Sequence, residues 1–334
     1  MNTPHPQALN RRWCGAVLAG LVASLGTAMP ALAQPAYPVR PVTLVVPYPP
    51  GGSADTVGRL VGQRLSVELG QPVLIDNRPG AGTAVGAAFA AKAAPDGYTL
   101  LLGSGSTFTM NPAIRPNLPY DALGSFDPIA IVARIPLILL ANRNVPIGNV
   151  KEFAAAVRAT PDKYSYASFG TGTSSHFTGE IILQAVGAKI MHVPYRGSAP
   201  AMTDLIGGQV PFSVDTVTAA LPQLKGGKVK AIAVTTAQRS SQLPQVPTFA
   251  EAGYPDVDAD TWIMFVAPKG TPAPVRERLE KALAKIVATP EAKAALQAQG
   301  VEPAFGGAAA SVAQIERELP LMRAVARRAN IQPD

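Results

Sequence analysis

Val42-Thr43-Leu44-Val45-Val46-Pro47-Tyr48-Pro49-Pro50-Gly51-Gly52-Ser53-Ala54-Asp55 joins a valine-rich run to a proline and glycine turn, and the turn to an amphipathic stretch. The run Val42–Val46 is short, apolar and β-branched, which reads as a buried strand. Residues 54–69 place Val57, Leu60, Val61, Leu65 and Leu69 at helical spacing, and Ser53 or Asp55 can cap the start. A strand that turns directly into a helix is the repeating unit of an α/β fold.

The same rhythm continues on the C-terminal side. A strand is predicted at 73–76, a small-residue helix at 83–93 and a strand at 98–103. After Phe126 two apolar runs, 129–133 and 137–141, are split by Pro136. Asn149 then caps a helix over Val150–Ala159. Strands at 164–169, 189–193, 212–215 and 229–235 alternate with helices at 174–186, 199–206 and 218–225. One more strand, 262–267, precedes three amphipathic helices at 274–287, 291–299 and 311–329. Alternation of this kind predicts parallel sheets with helices on both faces. Two such series separated near residues 133–143 predict two α/β lobes, with the C-terminal helices folding back onto the first. The chain then crosses between lobes twice, which makes a hinge. One long doubly wound sheet is the alternative.

On the N-terminal side the pattern is of another kind. Arg11 and Arg12 precede an apolar run over 15–28, and Ala31-Leu32-Ala33 supplies a small-x-small cleavage signal, with Gln34 as the first mature residue. This is the order of a secretory signal peptide over residues 1–33. The run is shorter than the ~20 residues of a membrane span, although a retained anchor is the alternative. The arginine pair leaves general or twin-arginine export open.

Removing that segment takes away Cys14, the single cysteine. The remainder has no disulfide, thiolate nucleophile or thiolate metal site. It keeps two histidines, His176 and His192, which excludes a histidine-rich zinc centre and leaves no cofactor or metal to expect. The formal charge is +7, of which Arg11 and Arg12 supply two, leaving +5 spread along the chain. No dense basic block with interleaved aromatics occurs, so nucleic acid is not expected as a partner.

Ligand chemistry is expected in the turns. At Gly51, Gly52 and Ser53 the backbone can approach a ligand closely, and free N–H groups at a helix start favour an anion. The turn lacks the Gly-Lys-Ser/Thr of a nucleotide P-loop, and an ordinary strand-to-helix turn accounts for it equally well. Gly170-Thr171-Gly172-Thr173-Ser174-Ser175-His176 repeats the logic, with amides and hydroxyls able to hold a carboxylate without a fixed charge. His176 reads as a capping or packing residue, since no partner to orient it as a base is visible. Val193-Pro194-Tyr195-Arg196-Gly197-Ser198-Ala199 partly echoes Val46-Pro47-Tyr48 and Gly52-Ser53-Ala54, which suggests matched turns facing across a cleft. Ser104, Ser106 and Thr107 form a further polar turn after a strand. Asp215 ends another strand, where it can meet a cationic group or cap a turn. Gly103-Ser104-Gly105-Ser106-Thr107 does not fit a nucleophile elbow. Gly80-Ala81-Gly82-Thr83-Ala84-Val85-Gly86 approaches a dinucleotide fingerprint, but its last glycine is one place late, so it reads as close helix–sheet packing.

Taken in order, these segments resemble the Bug family, extracytoplasmic solute receptors of tripartite tricarboxylate transport systems. The resemblance spans the chain after the export segment. It rests on Tyr37-Pro38 and Pro41, Pro49-Pro50-Gly51-Gly52-Ser53-Ala54-Asp55, Asp76-Asn77-Arg78-Pro79-Gly80-Ala81-Gly82 and Ala94-Pro95-Asp96-Gly97-Tyr98-Thr99-Leu100. Asn111-Pro112-Ala113, Gly172-Thr173-Ser174-Ser175-His176 and Val193-Pro194-Tyr195-Arg196-Gly197 complete it.

The resemblance implies a two-lobed, type II-like periplasmic-binding fold closing as a Venus flytrap, with residues 34–138 plus 258–334 in one lobe and 139–257 in the other. It implies that Gly51, Gly52 and Ser53, with Thr171, Gly172, Thr173, Ser174, Ser175 and His176, hold one ligand carboxylate, partly through water, and that Tyr48, Tyr195 and Gly197 also bind the ligand. Ser104, Ser106, Thr107 and Asp215 would then vary specificity. It further implies a monomeric periplasmic receptor, not an enzyme, handing a small carboxylate metabolite to membrane transporter subunits. A sensor without transport and a hydrolase on the same scaffold are the alternatives. No extra arginine marks a di- or tricarboxylate, with Arg196 as the one candidate, so the second ligand group stays open.

Overall fold

Strand β1 (Val42–Val46) is buried at the centre of a parallel set, between β2 (Val73–Asn77) and β3 (Thr99–Ser104). The computed structural model describes residues 1–3 and 37–333, so residues 4–33 of the expected export segment lie outside the described residues. Helix α1 (Ser53–Leu69) covers this set with Val57, Val61, Leu65 and Leu69. It lies close to the sheet because Gly58 faces it: a Cβ there would sit 3.2 Å from Val46 Cγ2. The helix stops at Gly70, whose φ of 69° is the left-handed C-cap that glycine adopts without strain. Each fully buried valine or leucine of this layer contributes about 1.5–3 kcal/mol relative to exposure.

Helix α2 (Ala84–Ala91) follows β2, and a single π-helical turn over Ser106–Met110 runs into the short α3 (Asn111–Ile114). Then comes β4 (Phe126–Asn142), a 17-residue strand. The two apolar runs expected from the sequence are one strand. Pro136 keeps an extended backbone and lies where the partners change, so it marks the crossing without ending the strand. Before it, β4 pairs with β9 (Asp260–Pro268) and β10 (Glu302–Gly307); after it, with β7 (Phe212–Thr216) and β8 (Val229–Val234).

The second series is α4 (Val150–Ala159), β5 (Ser165–Ser168), α5 (Ser174–Ala185), β6 (Met191–Pro194), α6 (Ser198–Gly207), β7, α7 (Val217–Lys225) and β8. β5 pairs parallel with β6 and β7. The strand order is β2-β1-β3-β9-β4-β7-β5-β6, with β8 and β10 also on β4. Parallel pairing therefore holds within each series. The strands that carry the chain across, β4 and β9, join antiparallel.

Helices α8 (Ala273–Ala288), α9 (Pro290–Gln297) and α10 (Ala308–Ala329) close the chain. Leu279, Leu283, Ile286 and Leu296 of α8 and α9 join the core beneath β1 and α1. A separate core under the second series gathers Phe153, Tyr166, Phe212 and Phe249. The end of α10 joins the two series through a further cluster, packing Met322, Val325 and Ala326 with Met110 of the π-helical turn, Ile114 of α3 and Phe177 of α5.

Candidate functional site

The strand-to-helix turns at the C-terminal ends of β1, β5, β6 and β7 open into one cavity of about 700 Å³. It lies at the seam between the two series. Tyr48, Gly51, Gly52, Ser53, Thr171, Thr173, Ser174, Tyr195, Gly197 and Asp215 all line it. The β1–α1 and β6–α6 turns do face one another: a methyl built on Gly197 would lie 3.1 Å from Pro49 Cγ.

Each turn presents a helix N-terminus. α1, α5 and α6 begin after Gly52, Thr173 and Gly197, and none of these residues caps its helix with a side chain. First-turn N–H groups have no intrahelical acceptor, and the macrodipole places about +0.5 charge there. These helix starts make a site for an anion.

Asp55, expected as a possible cap, instead holds the β1–α1 turn. Its Oδ2 accepts from Gly51 N–H (2.9 Å) and Arg59 Nε (2.9 Å), and its Oδ1 from Asn77 Nδ2 (2.9 Å). Burial alone would raise this carboxyl, but Arg59, the Gly51 N–H and Asn77 outweigh it and hold it below the usual range. The charge is thereby locked while Gly51, at φ 83°, turns the chain towards the cavity.

The other expected site residues stand behind the wall. Ser104 Oγ pairs with Tyr48 Oη (2.6 Å) and accepts from Ser106 N–H (3.1 Å). Thr107 Oγ1 accepts from Ser104 N–H, and its carbonyl accepts from Tyr120 Oη (2.6 Å). Ser106 Oγ reaches across the seam to accept from Ser174 N–H, the first residue of α5 (3.0 Å). Ser175 donates to the Val214 carbonyl (2.5 Å), tying α5 to β7. His176 Nδ1 accepts from Gly172 N–H at 3.4 Å, and its ring stacks on His192 at 3.7 Å, which is packing.

His192 Nε2 pairs with Ser168 Oγ at 2.6 Å, a Ser–His contact. Ser168 is wholly buried and does not line the cavity, and burial together with His176 pushes the His192 imidazole down to about 3. That pair has neither the access nor the basicity of an activated nucleophile. Among the described residues no three His, Cys, Asp or Glu side chains gather as a metal site.

Asp215, the next-to-last residue of β7, stands at the cavity wall, bonded by the Ser198 hydroxyl and by Thr216 N–H (2.7 Å). Burial pushes its carboxyl up to about 6, and those two donors moderate the rise. Among the described residues, Asp215 and the exposed Arg196 are the acidic, basic or histidine side chains that line the cavity.

Sequence reasoning missed the third wall. Gly80, Ala81, Gly82 and Thr83, read as packing, line the cavity, while Gly86 does pack, its Cβ position lying 2.8 Å from the Arg78 carbonyl. Ala81 (φ 46°) and Thr83 (φ 95°) adopt positive φ, and such strain concentrates at functional sites. Asn111 pins this segment through the carbonyls of Ala81 and Gly82. A glycine-rich stretch before a helix was the available signal. Phe169, Ser198, Thr216, Thr261 and Ile263 also line the wall, and only the fold brings them there.

The family model of the tripartite tricarboxylate transporter family receptor matches residues 57–329. The chain is 36% identical over 289 residues to protein BugT of Bordetella pertussis, covering 86% of this chain and 88% of BugT. It is similar to the Rhodopseudomonas palustris protein Rpa4515 solved with adipate, at 34% identity and a TM-score of 0.86, covering 89% of this chain and all of that one. MatC of the same organism, solved with bound malate, is 33% identical with a TM-score of 0.80, covering 86% of this chain and 99% of MatC.

Proposed function

The chain belongs to the tripartite tricarboxylate transporter receptor family, and from that premise we propose that it captures a small carboxylate-bearing solute in the periplasm for membrane transporter subunits. The observation that carries this reading is the convergence of the uncapped N-termini of α1, α5 and α6 on one cavity. Helix N-termini hold an anion with backbone N–H groups and need no fixed cation. The relatives solved with adipate and malate support the same ligand class.

In this reading residues 34–138 with 258–334 form one lobe and 139–257 the other. Solute bridges Gly51, Gly52 and Ser53 on one side to Thr173, Ser174 and Gly197 on the other, and shifts the equilibrium towards closure. Ser104, Ser106 and Thr107 act from behind by holding Tyr48 and the start of α5. The receptor works as a monomer, performs no chemical step and needs no cofactor.

A thermal-shift screen tests this, on protein freed of carried-over solute by unfolding and refolding. At 100 times its dissociation constant a binder adds about 2.7 kcal/mol of stability. Shifts confined to carboxylates, and lost in Ser174→Leu, are the expected outcome. Shifts from sugars or cations alone would overturn the carboxylate reading.

A further inference from the structure

Resting on that reading, we propose that the Ser198 hydroxyl, held as an acceptor by the Asp215 carboxylate, selects solutes with a hydrogen-bond donor on the carbon next to the carboxylate: 2-hydroxy and 2-amino acids. Ser198 is the first residue of α6, lines the cavity and is half-buried. Behind it stands Asp215, wholly buried, whose Oδ2 accepts from the Ser198 hydroxyl. An ionised carboxylate has no proton to give, so the Ser198 proton is committed to it. Among the described residues nothing else bonds to Ser198 Oγ, and its lone pairs are what it offers the cavity. A solute hydroxyl or ammonium can donate to them, whereas a bare methylene cannot. In such a chain the carboxylate polarises the hydroxyl and strengthens its acceptance of the next donor.

The ordinary role for an aspartate at this turn is already taken. Thr216 caps α7, its Oγ1 accepting from Ala219 N–H at 3.3 Å. Asp215 Oδ1 accepts from Thr216 N–H (2.7 Å), and among the described residues no ion pair includes Asp215. A buried carboxylate without a cation is destabilising, yet the fold keeps one where its second oxygen serves a cavity hydroxyl. The spacing says where on the solute the donor belongs. Ser198 supplies both a first-turn N–H of α6 and the Oγ acceptor. A carboxylate oxygen held at the start of α6 and a donor on Ser198 Oγ therefore come from neighbouring solute atoms. The selection acts at this position alone, so the rest of the solute can carry a second carboxylate.

Isothermal titration calorimetry on the refolded protein, at pH 8 where Asp215 is ionised above its value of about 6, decides the matter. Three skeletons serve as probes: propionate, succinate and phenylacetate. Each is compared with its 2-hydroxy form (lactate, malate, mandelate) and its 2-amino form (alanine, aspartate, phenylglycine), in both enantiomers. On the skeleton that binds tightest, a 2-substituted acid should bind at least about five-fold tighter than the unsubstituted one, the size of one net hydrogen bond. A smaller preference overturns the inference and leaves the carboxylate receptor standing. Silence from every probe overturns it too, and the wider thermal-shift panel then decides the receptor reading. Ser198→Ala should reduce the preference to below about two-fold, and Ser198→Thr, which keeps the hydroxyl, should restore it. In Asp215→Asn the single amide oxygen is taken by Thr216 N–H, so the amide nitrogen donates to Ser198 Oγ and the preference should disappear as well. A preference kept in a Ser198→Ala protein that is folded by circular dichroism would overturn the inference, as would one kept in folded Asp215→Asn.

Discussion

Replacing Ser106 with alanine removes one oxygen from a place where two halves of the molecule meet. Ser106 Oγ accepts from Ser174 N–H at 3.0 Å, and the two residues are 0% and 1% exposed. The donor is the first N–H of α5, which has no acceptor inside its own helix. Without Ser106 Oγ it stays buried and unsatisfied, which costs about 1–3 kcal/mol. When the lobes separate, water solvates that N–H, so the penalty falls on the closed form alone. At 1.4 kcal/mol per factor of ten, solute affinity drops about 5- to 140-fold. Ser106→Thr keeps the acceptor and should recover most of the loss. Calorimetry with the tightest carboxylate from the screen reads the affinity, and melting without solute reads the fold. The ligand-free melting temperature should fall by no more than about 2 °C, the shift a loss below ~1 kcal/mol gives in a protein of this size. Affinity within two-fold of the parent in a folded Ser106→Ala protein would refute the reasoning. So would a ligand-free destabilisation large enough to account for the affinity loss.

Asp215 links the site to pH. Its folded carboxyl titrates at about 6, above the ordinary 3.8, so the folded state binds the proton more readily, and stability falls as pH rises from about 4 to 6. Two units correspond to about 3 kcal/mol, and Asp215→Asn should flatten that part of the stability–pH curve in melts. The same protonation removes a negative charge from the cavity, so carboxylates should bind more tightly at pH 5 than at pH 8 in the parent but not in Asp215→Asn. Gly82→Ala places a methyl 2.8 Å from the Thr171 carbonyl oxygen at a φ of +60°; small-angle scattering should show the variant failing to compact with solute, and full compaction would count against the seam. Arg134→Met deprives Asp260 of a guanidinium that reaches both its oxygens (3.0 and 2.9 Å). Burial pushes the Asp260 carboxyl up, so denaturation should find the variant about 1–2 kcal/mol less stable at pH 7, and the deficit smaller in acid.

The rhythm of the fold was legible because its signals are local. Val42–Val46 is a strand with the expected bounds, and Asn149 Oδ1 accepts from Glu152 N–H at 2.9 Å as an N-cap should. Strand direction was not legible: nothing local says that β9 returns antiparallel between β3 and β4. Pro136 was over-read, since proline removes a donor but does not stop extended backbone. β10, Glu-Pro-Ala-Phe-Gly-Gly, shows neither alternation nor β-branched residues, and pairing with β4 alone makes it a strand. In the site, the glycine turns announce themselves because close approach and positive φ need glycine. Thr261 and Ile263 do not, because their position depends on where β9 crosses. Ser104 and Ser106 were noticed for their hydroxyls, yet those hydroxyls serve Tyr48 and Ser174.

A crystal structure of the protein with its best-binding carboxylate tests the central claim most directly. The account predicts a carboxylate in the cavity at the seam, its oxygens about 2.7–3.2 Å from first-turn N–H groups of α1 and α5 or from waters held by them. A carboxylate bound away from both helix starts, or a sugar or cation in the cavity instead, would contradict it.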